Sequence, residues 1–253
     1  MYAPGHFAES DPTVLADAAR RIGVGQLITS GSVGPEASFI PLLVADDAGT
    51  VTGHLARANG QWSRADLAVP ALVTWVGPDA YVSPNYYPST REHGKVVPTW
   101  NLITVQARGV LRVHHDAAWK RAHVASLTRF HEGALPVPWS VDDAPSDYID
   151  GRLEAIVGVE LTVTSIEGQW KLSQNRSEPD VAGVIAALGS QGPGPAAALA
   201  HEMELAMVGR ATAVQATDGS TGPSQDHRAR ATPVGTSSAD AGWADIDPVA
   251  QRK

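Results

Sequence analysis

The residues best equipped for chemistry gather in three short runs. The first is Gly53-His54-Leu55-Ala56-Arg57-Ala58-Asn59-Gly60-Gln61-Trp62, a strand exit followed by a guanidinium, a capping asparagine and an indole. Such a loop offers positive charge and a helix N-terminus to an anion, and an aromatic ring to a flat ligand. The second pairs Ser83-Pro84-Asn85-Tyr86-Tyr87-Pro88 with Val97-Pro98-Thr99-Trp100-Asn101, two proline-bearing turns around Arg91, His93 and Lys95. The third, Lys171-Leu172-Ser173-Gln174-Asn175-Arg176, is a series of donors after a long strand. Any one of them reads equally well as a cap or turn with satisfied polar groups. Three together mark a candidate ligand site.

Familiar templates do not account for them. The segment from Gly23 to Ile28 has two of the three glycines of a dinucleotide fingerprint and runs from helix to strand, the reverse of the order that motif needs. His201-Glu202 lacks the second histidine of a zinc-protease motif. His123 and His131 lie about 12 Å apart along one helix, too far to share a metal, and His114 and His115, adjacent on a strand, point to opposite faces. These four histidines are read as surface or packing residues. Cysteine is absent, which removes disulfides, thiolate metal sites and cysteine nucleophiles together.

The elements that must position these runs follow from periodicity. Asp11-Pro12 opens an amphipathic helix to Ile22, with Val14, Leu15, Ala18 and Ile22 on one face and Gly23 ending it. Short strands are expected over 26–30, 37–44 and 50–55, and a helical turn over 59–64. Strands follow at 68–76 and 80–83, separated by Gly77-Pro78-Asp79, and a long strand at 101–114. Residues 117–131 have helical spacing, 152–166 alternate as a strand, and 179–188 and 196–208 read as helices. The result is a mainly β chain with flanking helices, an α+β meander or barrel.

The chain has 253 residues, 43% of them hydrophobic, with a net charge of −8. That is enough apolar material for one large domain, and its acidity disfavours non-specific binding to nucleic acid. The helices at 12–22 and 117–131 also lack the base-reading and phosphate-contacting residues of a helix-turn-helix. No segment approaches the apolar length of a membrane span and the N-terminus has no signal-peptide pattern, so a cytoplasmic protein without membrane contact is expected. The domain is expected over 1–215. Residues 216–253 are read as a disordered tail of Gly, Ser, Thr, Asp and Pro, with Trp243 its only aromatic residue.

Five ordered matches, Met1-Tyr2-x-Pro-x-x-Phe7, the run 53–62, Val97-Pro98-Thr99-Trp100-Asn101, Val157-Gly158 and Lys171-Leu172-Ser173-Gln174-Asn175, closely resemble the PaiB family of FMN-binding negative transcriptional regulators. The resemblance runs from Met1 to about Leu188. It implies a split β-barrel of the flavin-reductase-like Greek-key type, and a homodimer with cofactor pockets at the subunit interface. One branch that the chain resembles consists of haem-dependent piperazate synthases, which join two nitrogens of the amino acid N5-hydroxy-L-ornithine with loss of water. That branch implies haem b as cofactor, with FMN as the alternative.

With cysteine absent, haem would take a histidine, and His54 is the expected axial ligand, with His6 and His93 behind it. Arg57, Lys171 and Arg176 suit an FMN phosphate or haem propionates, and Arg57 or Lys171 a substrate carboxylate. Trp62, Tyr86 and Trp100 are expected to wall the cofactor. Asn59, Asn101, Ser173, Gln174 and Asn175 complete its expected contacts. No general base is assigned, Tyr87 and His93 being the residues considered. Since 217–253 lack the apolar side chains that offset ordering entropy, limited proteolysis should trim them while dimer and cofactor persist. A trimmed product that aggregates would contradict this.

Overall fold

In the computed structural model the backbone is described for residues 1–218 and side chains through Val208. The tail reading at 216–253 therefore lies almost wholly outside the described residues. Met1–Thr212 form one compact unit, and of the second, which starts at Ala213, only the helical backbone up to Asp218 is described. The elements in order are β1 (Ala8–Glu9), α1 (Pro12–Ile22), β2 (Val24–Gly31), β3 (Gly34–Val44), β4 (Thr50–Ala56), α2 (Gln61–Arg64), β5 (Ala71–Val82), α3 (Ser89–Glu92), β6 (Thr99–His114), α4 (Ala117–Glu132), α5 (Ser146–Glu154), β7 (Ile156–Lys171), α6 (Glu178–Gly189) and α7 (Pro195–Asp218). Among the described residues no helix is long and apolar enough to cross a membrane.

All strand pairings are antiparallel, in the order β1-β7-β4-β3-β2-β5-β6, and β6 also pairs with β7. That last pairing closes β2 to β7 into a six-stranded barrel. The meander β2-β3-β4 is followed by β5 beside β2, which is a Greek key. Inward side chains fill the barrel: Leu27, Leu42, Val51, Leu55, Val73, Trp75, Val105 and Leu161 form one core with Leu15 and Ala19 of α1. α1 begins where Asp11 accepts from Thr13 N and ends at Gly23, whose φ of 75° suits glycine, and it packs against β3, β5, β6 and β7.

Two elements differ from the sequence pattern. β5 runs unbroken through Gly77-Pro78-Asp79, with a register shift between Val76 and Asp79 that lets a strand carry a proline. Arg152–Glu154 belong to α5 rather than to the strand, because Ile149 and Leu153, four apart, bury one helical face in a small cluster with Val141. β7 accordingly runs from Ile156 to Lys171, and its register with β6 shifts between Arg108 and Gly109. A side chain at Gly109 would meet Thr162 O at 2.0 Å, so glycine is needed at this close approach.

A second core lies outside the barrel, where Val82, Tyr87, Ile103 and Leu172 meet Val181, Val184 and Leu188 of α6 and Leu199 and Met203 of α7. Asp180 pins α6 there. Its buried carboxylate accepts from Ser89 N (3.1 Å) and Ser89 Oγ (2.8 Å). Burial works to raise its pKa, but the Ser89 bonds, the Ser177 hydroxyl and the Arg176 charge together lower it. A lowered carboxylate pKa contributes stability above the unfolded value and loses it as pH falls through the folded one. Asp180→Ala should therefore cost about 2 kcal/mol at neutral pH. In denaturant melts that difference should narrow as pH drops below the ordinary aspartate range, and a difference independent of pH would contradict the assignment.

Candidate functional site

β4 alternates, with Val51, Gly53 and Leu55 buried towards the barrel and Thr52 and His54 half-buried on the outer face. In register, His54 lies opposite Gly158 of β7, and Gly158 in turn lies opposite His114 of β6. Directly paired residues share a face, so the row reads imidazole, gap, imidazole across three strands. The gap is filled from above. A Cβ at Gly158 would lie 2.1 Å from the Trp119 ring, which α4 lays over the glycine. Trp119 stacks on His114 (centroids 4.0 Å, planes 5° apart) and on His123 one turn along α4 (5.3 Å, 15°).

α4 is aimed by its own chemistry. Asp116 caps it by accepting from Trp119 N at 2.8 Å, and Lys120, His123 and Leu127 form its buried stripe. His123 is 6% exposed. Its Nε2 shares a hydrogen bond with His54 Nδ1 (3.2 Å) and its Nδ1 one with Thr52 Oγ1 (3.2 Å). Burial, then the neighbouring His54, pushes its pKa down to about 4, and burial also lowers that of His54. Burial thus favours the uncharged form of both rings. His54 Nε2 has no hydrogen-bond partner among the described residues.

The rest of the first run supports this face structurally. Arg57 Nε donates to Glu154 O (2.6 Å), Nη2 to Ile156 O (3.2 Å) and its backbone N to Ala155 O (2.8 Å), while Lys120 Nζ donates to Leu153 O (2.6 Å). Two cations thus meet the carbonyl end of α5, the favourable sign for a helix C-terminus. Asn59 accepts from Gln61 N and donates to Ser38 Oγ, and Trp62 Nε1 donates to Arg57 O. The Trp62 ring meets His115 edge-on at 5.2 Å. His54 sits two residues inside the strand, under α4.

The other expected contacts lie elsewhere. Lys171 pairs with Leu102, thirteen residues along β7 from Gly158, about 40 Å at the usual rise per residue. Here Lys171 Nζ donates to Thr99 Oγ1 (2.7 Å), and burial lowers its pKa. Buried Asn101 donates to Ser173 Oγ (2.9 Å) and Met203 Sδ (3.5 Å), leaving Asn101 Oδ1 unpartnered. Ser173 holds a φ of 63° in the turn after β7. Gln174 Oε1 accepts from Leu172 N, and its Nε2 donates to Trp170 O. Arg176 lies over buried Tyr87 at 5.0 Å. Tyr86 is half-buried with its hydroxyl bonded to Gln191, and Trp100 and Asn175 are exposed.

The sequence-expected residues thus fall into two groups, one around His54 and one around Lys171 and Asn101, at opposite ends of one strand. His6 packs on Phe7, and exposed His93 accepts from Lys95 N. Among the described residues there is no cluster of three or more metal-ligating side chains. The pattern missed Thr52, Trp119 and the contact of His123 with His54. The i, i+2 spacing of Thr52 and His54, with a ring from a helix above, was the available signal.

Gly158→Ala places a methyl group where the Trp119 ring lies. Stability should fall by about 1–3 kcal/mol, seen as a lower denaturant midpoint with unchanged slope. Wild-type stability in this variant would show that the indole is not locked over the glycine.

Comparison with known proteins gives consistent relatives. The family model described as "Putative FMN-binding domain" matches residues 1–165. Protease synthase and sporulation protein PAI 2 of Bacillus subtilis is 30% identical over 207 residues, covering 81% of this chain and 97% of that protein. An uncharacterized protein of Aspergillus fumigatus is 34% identical over 169 residues, 54% of this chain and 65% of its own length. Among solved structures, the flavocytochrome Anf3 from Azotobacter vinelandii is 14% identical with a TM-score of 0.48, covering 70% of this chain and 75% of that one. The match to the model over 1–165, reaching from the N-terminus into β7, and the near full-length likeness to the Bacillus protein show that the chain belongs to the PaiB family of FMN-binding-type proteins.

Proposed function

We propose that this chain binds FMN and acts as a PaiB-like flavin-dependent oxidoreductase. Family membership supports the reading, and the observation that carries it within the structure is the donor set at the Lys171 end. Lys171 has three N–H donors and one known partner, Thr99. Asn175 is exposed beside it in sequence and Trp100 presents a half-exposed ring. A cation, small donors and an exposed indole fit a phosphate and a flat ring. When bound, FMN supplies hydride or single-electron transfer. The chain's part is to hold the phosphate at Lys171 and shield the ring with Trp100.

A second reading rests on His54. A neutral imidazole with one nitrogen held by the protein and the other without a protein partner is the usual disposition of a metal-ligating histidine. This favours haem b at His54, in an enzyme like the piperazate synthases that forms an intramolecular N–N bond from N5-hydroxy-L-ornithine with loss of water. In that reading Arg57, with Nε on the last α5 carbonyl and Nη2 on the first carbonyl of β7, keeps Nη1 for a carboxylate.

Since the two groups lie at opposite ends of β7, we further propose a homodimer, in which two chains can line one cofactor site. The absorption spectrum of the purified protein decides between the cofactors. Bands at about 370 and 450 nm indicate flavin, and one intense band at about 400 nm indicates haem. A protein that takes up neither cofactor when both are offered overturns both readings. Light scattering should give twice the 26.5 kDa chain mass, and a monomer at micromolar concentration would refute the dimer.

A further inference from the structure

Thr52 and His54 project from the same face of β4, about 7 Å apart along the strand, and the His123 ring spans them. Each of its nitrogens contacts one of the two. A neutral imidazole has one donor and one acceptor nitrogen, so the three groups can be bonded together in only two ways. In one, both rings carry the proton on Nδ1: His54 donates to His123, His123 donates to Thr52, and His54 Nε2 presents a lone pair. In the other, both carry it on Nε2: Thr52 donates to His123, His123 donates to His54, and His54 Nε2 presents an N–H. Mixed combinations set two protons or two lone pairs against each other between the rings.

We propose that His123 is a positioning residue for His54, and that the chain Thr52–His123–His54 decides which hydrogen-bonding character His54 Nε2 shows to a ligand. Three observations support this. His123 is buried and stacked on Trp119, which itself is wedged over Gly158, so its ring cannot turn away from His54. His54 Nδ1 and His123 Nε2 lie 3.2 Å apart, a distance at which one must donate and the other accept, so the tautomer of one ring fixes that of the other. Thr52 also lines a groove with Thr50, Arg20, Asp46 and Phe130, so its hydroxyl proton has somewhere to point when Thr52 accepts from His123. A threonine hydroxyl serves both arrangements, and the chain switches between them as a unit.

The consequence holds for either cofactor. An iron centre or a donor group on a ligand selects the state with Nδ1–H on both rings. A ligand acceptor, such as a carbonyl oxygen or a ring nitrogen, selects the state with Nε2–H on both. The identity of the ligand at His54 is thereby registered at Thr52, on the far side of His123.

Long-range proton–nitrogen correlation spectra of isotope-labelled full-length protein, without added cofactor at neutral pH, read which nitrogen of each ring is protonated. The two rings should share one tautomer, with the Nδ1–H form populated, and opposite tautomers would overturn the proposal. Thr52→Val is the decisive variant, because Thr52 touches His123 and valine suits a strand. An N–H facing valine would be left unpaired and buried, so the Nδ1–H fraction should drop about threefold or more at both rings. Unchanged His54 nitrogen signals in Thr52→Val would overturn the coupling. His123→Leu should release the His54 ring to the averaged signals of an exposed imidazole, and His123→Gln should restore a single tautomer. A His54 signal indifferent to His123→Leu would reduce His123 to packing and refute the role.

Discussion

One missing side chain organises the outer face of the barrel. Gly158 leaves a hole between His54 and His114, and the Trp119 indole fills it. Any side chain at 158 would push α4 away from the sheet. With the helix that close, His123 reaches β4, its ring becomes desolvated, and burial lowers the pKa of both histidines. The stacking of Trp119 on two imidazoles adds contact on both of its faces. The chemistry available at His54 thus follows from a packing constraint on the neighbouring strand.

β7 is the spine of the molecule. It pairs with β4 over its first half, with β6 along almost its whole length and with β1 near its end. One strand therefore carries the His54 row at one extremity and Lys171 at the other. The helices follow the same division, with α4 and α5 covering the first extremity and α6 and α7 the second. Asp180 ties the start of α6 to Ser89, and the Arg57 and Lys120 cations meet the end of α5, where backbone carbonyls lack intrahelical partners.

Much of the architecture was legible in the residues. The capped α1, the strand spacing and the helical stripe at 117–131 all carry local signals, and the family could be recognised from five ordered motifs. The bulge in β5 was not legible, because Gly-Pro-Asp in isolation looks like a turn, and only the pairing with β6 holds it extended. The end of α5 was masked by an apolar alternation that continues into β7. In the site, single residues were easier to pick than their grouping. His54 stood out by its setting, whereas His123 lay in a helix whose register over β4 depends on tertiary contact. Arg57 was read by its charge, yet two of its N–H groups serve backbone carbonyls, Glu154 at the end of α5 and Ile156 at the start of β7. Motif residues far apart in sequence suggested one pocket, and the length of β7 separates them.

The closure of the barrel by β6 and β7 also sets an order in time. β4, complete at Ala56, has no second partner until β7 emerges some hundred residues later in synthesis. Until Lys171 has left the ribosome, the nascent sheet therefore exposes open edges on β4 and β6, the surfaces most prone to pair with another chain. The acidic balance of the sequence adds repulsion between such partial products. Only the last strand ends this exposure, so a ribosome stalled between β6 and β7 leaves the chain in its most aggregation-prone form.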